Sequence, residues 1–338
     1  MAELPEDLTD QPGESAPRPE ELVREGLRCL QLSGSLFLRA DLSLPWAYES
    51  PPAEQVVQML NANGRRVIMF HVITAGQCRI DLRNGEGIDL SAGDIAIMPF
   101  SDQHCAGNPS TSEPIPLKEL LPPPPWTTLP TVRLGGGGAQ TTMVCGYLYS
   151  DDMPFNPVLA TLPSLIRVRL AGGPLAHWVE ASLAYALFAA SKQRGECDPL
   201  MQRLPELLFI ECLCDFAAQL GPGERGWLAG LRDPTVGRAL ACMHREPARP
   251  WSLQELAKRA AASRSVLDER FRQFLGQAPM SYLTAWRLQL ASRHLRTTTA
   301  TLAEVAGAVG YGSEASFSRA FKRQVGVSPS DWRNGAPP

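Results

Sequence analysis

The strongest constraint on this chain is an internal repeat. Residues 252–279 (SLQELAKRAAASRSVLDERFRQFLGQAP) and residues 301–329 (TLAEVAGAVGYGSEASFSRAFKRQVGVSP) follow one pattern. Ser252 and Thr301 are good helix N-caps, with Glu255 and Glu304 three positions on, the spacing of a capping box. Leu256-Ala257 answers Val305-Ala306, an apolar residue beside a small one that lets a second helix pack closely. The turn is one residue longer in the second copy. Beyond it, Ser263 aligns with Ser313, Leu267 with Phe317, Phe271 with Phe321, Gly276 with Gly326 and Pro279 with Pro329. Each copy therefore predicts a helix, a short turn and a second helix, stopped by Gly at the C-cap and then by Pro. The segment between the copies, PMSYLTAWRLQLASRHLR, predicts one amphipathic helix of about 26 Å at 1.5 Å per residue.

In each second helix the apolar residues share a face: Leu267, Phe271 and Phe274, then Phe317, Ala320 and Phe321. The opposite face carries Arg264, Ser265, Asp268, Glu269 and Arg272 in the first copy. In the second it carries Glu314, Ala315, Ser318, Arg319 and Lys322, with Arg323 beside them. A helix-turn-helix unit presents such a face to the major groove of double-stranded DNA. Two of them on one rod suit successive major grooves, which recur about every 34 Å. Charge points the same way. From Asp233 onward there are 15 Lys and Arg against 8 Asp and Glu, a balance of +7, which leaves 17 against 27 (−10) in the rest. A basic part on an acidic body is the footprint of a nucleic-acid binder with a separate regulatory part. A single helical corner is weak support, but two with matched caps, turns and stops are strong.

The stretch GSEASFSRAFKRQVGVSPSDWR resembles the C-terminal signature of the AraC/XylS family of bacterial regulators, over about residues 233–333. The resemblance implies a seven-helix DNA-binding domain at promoters, working as a homodimer and with RNA polymerase, activation being the family habit. It places base contacts at Ser265, Asp268 and Glu269, and at Glu314, Ala315, Ser318 and Arg319. Asp268 and Glu269 depart from the Arg and Gln that are common there. Either the first unit reads a cytosine amino group, or these carboxylates pair with Arg264, Arg270 or Arg272 and leave phosphate contacts to those arginines.

Residues 1–20 read as a disordered acidic, Pro-rich tail. Between 27 and 108, FLRADLSLPW, RVIMFHVITAG, QCRIDL, GIDL and DIAIMPF read as short strands, with a hairpin turn at Asn84-Gly85. Residues 109–140 read as a loop excursion, and TTMVCGYLYS as a further strand. From 174 to 220 two apolar-periodic segments predict helices, followed by the linker GPGERG. GDIAIMPFSDQHCAGN resembles the second motif of a cupin, at Gly93, Pro99, His104 and Asn108, with Ser101 replacing the usual Gly. The opening LRCLQLSGSLFLRADLSLPW resembles the cupin-like sensor half of one branch of AraC-type regulators, and the likeness spans about residues 22–200. The first cupin motif, with its His and Glu metal ligands, is not intact; His71 alone stands near its place.

His71, His104, Cys78, Cys105 and Cys145 are therefore the candidate sensing residues. His71 and His104 with one cysteine suit a small effector or a transition metal. A cysteine near a cationic His has a lowered pKa and reacts with oxidants, and Cys145 is the preferred candidate. The competing reading makes the histidines hydrogen-bonded barrel residues and the cysteines small hydrophobes. No cofactor is assigned.

The expected molecule is multidomain. An all-β cupin-like barrel with appended helices, for effector sensing and dimerisation (21–220), joins through a linker (221–232) to an all-α AraC-type DNA-binding domain (233–334). Its helix-turn-helix units lie at 252–275 and 301–325. The expected function is sequence-specific transcription regulation in response to a small-molecule or redox signal, not catalysis. The alternative is a cupin-type metalloenzyme with an appended DNA-binding domain. No apolar run reaches the roughly 20 residues of a membrane span, and the N-terminus lacks a signal-peptide pattern, which predicts the cytoplasm and no membrane partner.

Overall fold

A computed structural model describes residues 21, 23–24, 32–60, 66–107, 112–122, 129–150, 156, 158–170, 172–191, 199–221 and 223–335. The tail expected at 1–20 and the motif residue Asn108 lie outside the described residues.

The N-terminal half is two sheets face to face. The strands are β1 (Leu32–Ser43), β2 (Ala47–Glu49), β3 (Arg66–Ala75), β4 (Gln77–Leu82), β5 (Gly87–Ser91), β6 (Asp94–Met98), β7 (His104–Gly107), β8 (Ile115–Pro116), β9 (Thr131–Gly135), β10 (Gln140–Ser150) and β11 (Ile166–Arg169). The first sheet has the order β11-β6-β3-β10-β1-β9 and the second β5-β4-β7-β2-β8. Pairing is antiparallel apart from β1–β9 and β2–β8. Side chains alternate across a strand, and β3 uses both faces. Val67, Met69, His71 and Ile73 point between the sheets, where they join Leu38, Tyr48, Ile80, Met98, Met143 and Cys145. Ile68, Phe70 and Val72 point outward, beneath the helices. Such a doubly buried strand reads as a continuous apolar run, as RVIMFHVITA does.

Short helices α1 (Ala53–Met59) and α2 (Leu117–Leu120) decorate the barrel. Residues 109–140 are less of an excursion than expected: β8, α2 and β9 lie within them, and Leu117 and Val132 are buried in the barrel core. Two longer helices follow, α3 (Gly173–Ser191) and α4 (Pro199–Gln219). Leu208, Phe209, Cys212 and Leu213 of α4 are buried in one cluster with Ile68, Phe70, Val144 and Leu148 of the sheet.

The C-terminal half is all-α. Helix α5 (Trp227–Arg232) precedes α6 (Pro234–Arg245), α7 (Leu253–Arg259), α8 (Arg264–Leu275), α9 (Pro279–Thr297), α10 (Leu302–Ala308), α11 (Glu314–Val325) and α12 (Pro329–Arg333). The expected linker at 221–232 is thus helical over its second half. Trp227 is fully buried, and Leu228, Ala229 and Leu231 are buried with it. The apolar cluster on the outer face of the first sheet continues through α4 and Trp227 into Val236, Leu256, Leu267, Phe271, Tyr282 and Trp286. The first helix pair shares this core with the barrel. The second pair has its own core of Leu288, Leu295, Val305, Phe317, Phe321 and Trp332. Helix α9 serves both, with Tyr282 and Trp286 toward the first and Leu288 and Leu295 toward the second.

Candidate DNA interface and sensor core

The two helix pairs are built by the same local devices. Ser252 accepts from the Glu255 N–H at 3.1 Å, and Thr301 from the Glu304 N–H at 3.2 Å. Only the second is a full capping box, in which the Glu304 carboxylate also accepts from the Thr301 N–H at 2.7 Å. Glu255 instead pairs with Arg249. Helices α7 and α10 then end alike. The Ala262 N–H donates to Ala257 O and the Ala261 N–H to Lys258 O; the Tyr311 N–H donates to Ala306 O and the Gly310 N–H to Gly307 O. This is the Schellman pattern, which needs a left-handed residue at its centre. Ala261 fills that position at φ 53 and Gly310 at φ 85. The second helices α8 and α11 are capped by Ser263 and Ser313 and end at the left-handed Gly276 and Gly326.

Leu267 and Phe271 of α8, and Phe317 and Phe321 of α11, are fully buried, which turns the opposite faces to solvent. On α11, Glu314, Ala315, Arg319, Lys322 and Arg323 are exposed and Ser318 is half-buried. On α8, Arg264, Ser265, Glu269 and Arg272 are exposed and Asp268 is half-buried. The two carboxylates of α8 differ. Asp268 accepts from Arg272 Nε at 2.8 Å, one turn on. Glu269 has no hydrogen bond or ion pair among the described residues. Arg270 is turned away from both, pairing with Asp233, the N-cap of α6, at 3.1 Å. Val266, 42% exposed, is an apolar residue on the same outward face that the sequence reading passed over. Its place one turn before Glu269 was the available signal.

Inside the barrel, β3 and β7 bring His71 and His104 together, Nε2 to Nε2 at 2.9 Å. His104 Nδ1 lies 3.0 Å from the Asp102 carbonyl, which can only accept, so Nδ1 carries the proton. His104 Nε2 is then an acceptor, and His71 donates to it. That leaves His71 Nδ1 as a buried lone pair with no partner among the described residues. Ser50 Oγ sits 3.0 Å from His104 Nδ1, and the Tyr48 hydroxyl donates to Met143 Sδ at 3.6 Å. Burial pushes both histidines below the usual imidazole range, more strongly for His71, where His104 adds to the effect. Ser101, at the usual glycine position of the motif, has φ 54 and donates a 2.6 Å bond to the Val67 carbonyl.

The thiols of the candidate cysteines are shifted away from reactivity. Cys145 lies opposite His71 in the β10–β3 ladder, but it is fully buried beside a neutral imidazole, and burial pushes its thiol up, not down. Cys78 is pushed up to about 12, by burial first and then by Asp89 and Asp94. Cys105, half-buried, is also raised, by burial and by Glu49 and Asp81. The donor set for a transition metal is incomplete among the described residues. The two Nε2 atoms are engaged with each other, and among the described residues no group of three or more His, Cys, Asp or Glu is arranged to hold a metal.

A two-sheet cupin barrel with a tandem helix-turn-helix domain defines a DNA-binding regulator with a built-in second domain. The chain matches the cupin family over residues 21–216 and a helix-turn-helix domain family over 256–335. It is 33% identical over 270 residues to a putative AraC-like transcription regulator of Streptomyces lividans, covering 79% of this chain and 87% of that one. It is 30% identical to the HTH-type transcriptional regulator AlkR of Acinetobacter baylyi, with the same coverage. It is 24% identical to the RCS-specific HTH-type transcriptional activator RclR of Escherichia coli, covering 79% and 84%. The chain belongs to the AraC-type family of transcription regulators, with an N-terminal cupin domain. Among the described residues no helix is long and apolar enough to cross a membrane.

Proposed function

We propose that this regulator binds promoter DNA sequence-specifically through α8 and α11 and answers a small molecule recognised at the His71–His104 pair. The observation that carries the DNA reading is the shared geometry of the two units. Each buries one face of its second helix and turns polar, charged side chains outward, and both are mounted on α9. Arg319, Lys322 and Arg323 give the second unit an exposed cationic face for base edges and phosphates. The relatives' names as transcription regulators favour this reading over a metalloenzyme.

For the signal, the buried unpartnered His71 Nδ1 supports a ligand that offers a hydrogen-bond donor. The E. coli relative's name describes an RCS-specific activator, but the raised thiols of Cys78, Cys105 and Cys145 favour the small-molecule reading here. Exposed Tyr185 and Phe188 on α3 and Leu207 on α4 support a homodimer formed through these helices, and the work of such a dimer with RNA polymerase belongs to the cytoplasm. Arg319→Ala tests the DNA reading by equilibrium binding. The expected loss is about 1–3 kcal/mol on the specific site and much less on random DNA. An equal loss on both would make Arg319 a phosphate contact only.

A further inference from the structure

The repeat places Glu269 and Arg319 at the same position of their helices, six residues after the capping Ser263 and Ser313. Both are exposed, and no ion pair among the described residues takes up either. The charges that flank Glu269 on α8 are engaged. Asp268 holds Arg272, and Arg270 is held by Asp233 at the foot of α6. Glu269 is therefore a free carboxylate at the centre of a recognition face. Val266, one turn before it, is exposed and apolar, with no hydrogen-bonding atom in its side chain.

A carboxylate in the major groove can only accept. Guanine presents acceptors there at O6 and N7, thymine presents O4, and adenine pairs a donor with the N7 acceptor. Cytosine alone offers an amino donor without a neighbouring ring acceptor on the same base. Repulsion from the phosphates is eased by Arg264, which is exposed on α8 and has no ion pair among the described residues. Arg319, at the matching place in the second unit, has the opposite preference, for the paired acceptors of guanine.

We propose that Glu269 is the specificity-determining residue of the first unit and selects a cytosine, while Arg319 at the equivalent position of the second unit selects a guanine. Val266 beside Glu269 supplies an apolar surface that suits a thymine methyl group next to that cytosine. The proposal rests on α8 and α11 being recognition helices and adds the base that each reads. The two fixed bases lie about one helical turn, 10–10.5 base pairs, apart.

The test is selection from a randomised duplex library by the full-length protein, as wild type, Glu269→Gln and Arg319→Ala. Wild type should enrich a motif with a fixed cytosine and, about a turn away, a fixed guanine. Gln is close to Glu in shape but pairs with adenine N6 and N7. Glu269→Gln should therefore replace the cytosine by adenine, with a change in preference of about ten-fold or more, and leave the guanine in place. Arg319→Ala should flatten the guanine column and leave the cytosine. An enriched motif that Glu269→Gln leaves unchanged at every column overturns the proposal while the recognition reading stands. A library with no enriched motif overturns the recognition reading, and the proposal with it.

Discussion

His71, His104 and His244 are buried without a carboxylate partner, and burial holds each imidazole neutral. His244 is the best defined. It lies flat on Trp286, with ring centroids 3.8 Å apart, and its Nε2 meets the Tyr282 hydroxyl at 2.7 Å. The same hydroxyl accepts from Trp227 Nε1 at 2.8 Å. Its pKa falls to about 3 from the ordinary 6.5. The unfolded chain binds this proton and the folded one does not. The contribution is therefore complete above about pH 6.5 and declines as pH falls toward about 3, by up to about 1.4 kcal/mol per pH unit. Between pH 7 and pH 5 the expected loss from His244 is about 2 kcal/mol. Urea unfolding at the two pH values measures it, and His244→Phe, which keeps a ring on Trp286, should make the acid limb shallower by about that amount. An unchanged slope would show that His244 is not held neutral. Ser101 shows a different adjustment: a side chain held at positive φ gains a buried hydrogen bond to Val67 that glycine cannot make.

The two helix pairs differ at the element scale in a way that stability can read. Ala261 and Gly310 occupy the same left-handed position of the turn. A left-handed L-residue costs about 1–2 kcal/mol, partly offset by the greater unfolded freedom of glycine. Ala261→Gly should therefore stabilise the protein by about 0.5–1 kcal/mol. Gly310→Ala should cost more than that gain, because its φ is 85 and a Cβ there would come 2.5 Å from the Ala248 carbonyl oxygen. Denaturant midpoints of the two variants check the pair, and a stabilising Gly310→Ala would contradict the equivalence. These turns were legible in the sequence because caps, left-handed residues and stops act within a few residues. Helix α5 was not, since GPGERG signals a loop and Trp227 is drawn into a helix by burial against Tyr282 and by the Thr161 hydroxyl, which accepts its N–H at 3.0 Å. The capping box at Ser252 failed for a similar reason, because Arg249 competes for Glu255. At the candidate sensor site, the strand readings RVIMFHVITAG and TTMVCGYLYS carried His71 and Cys145, but the direction of the thiol pKa depends on burial that no local pattern encodes.

At the scale of the whole molecule, the outer face of the first sheet and the first helix pair form one apolar body, while the barrel interior and the second pair keep separate cores. The weld is specific. The Gly226 N–H donates to the Phe274 carbonyl at 2.8 Å, and Trp227 bridges Thr161 of the barrel side to Tyr282 of α9. A change on the outer face of the first sheet thus has a continuous packed route to the first unit, and reaches the second along α9, a helix of 19 residues, about 28 Å at 1.5 Å per residue, and through the close approach of Gly310 to Ala248. Differential affinity for a signal can bias such a body between DNA-competent and incompetent arrangements. Under the proposed function, two unequal recognition helices, on one rod, read successive major grooves. Hydroxyl-radical footprinting of the full-length protein on a bound promoter tests it most directly. Two protected patches are expected on one face of the duplex, about 10 base pairs apart, with the patch under α11 lost first in Arg319→Ala. A single short patch, or uniform protection along the fragment, would contradict it.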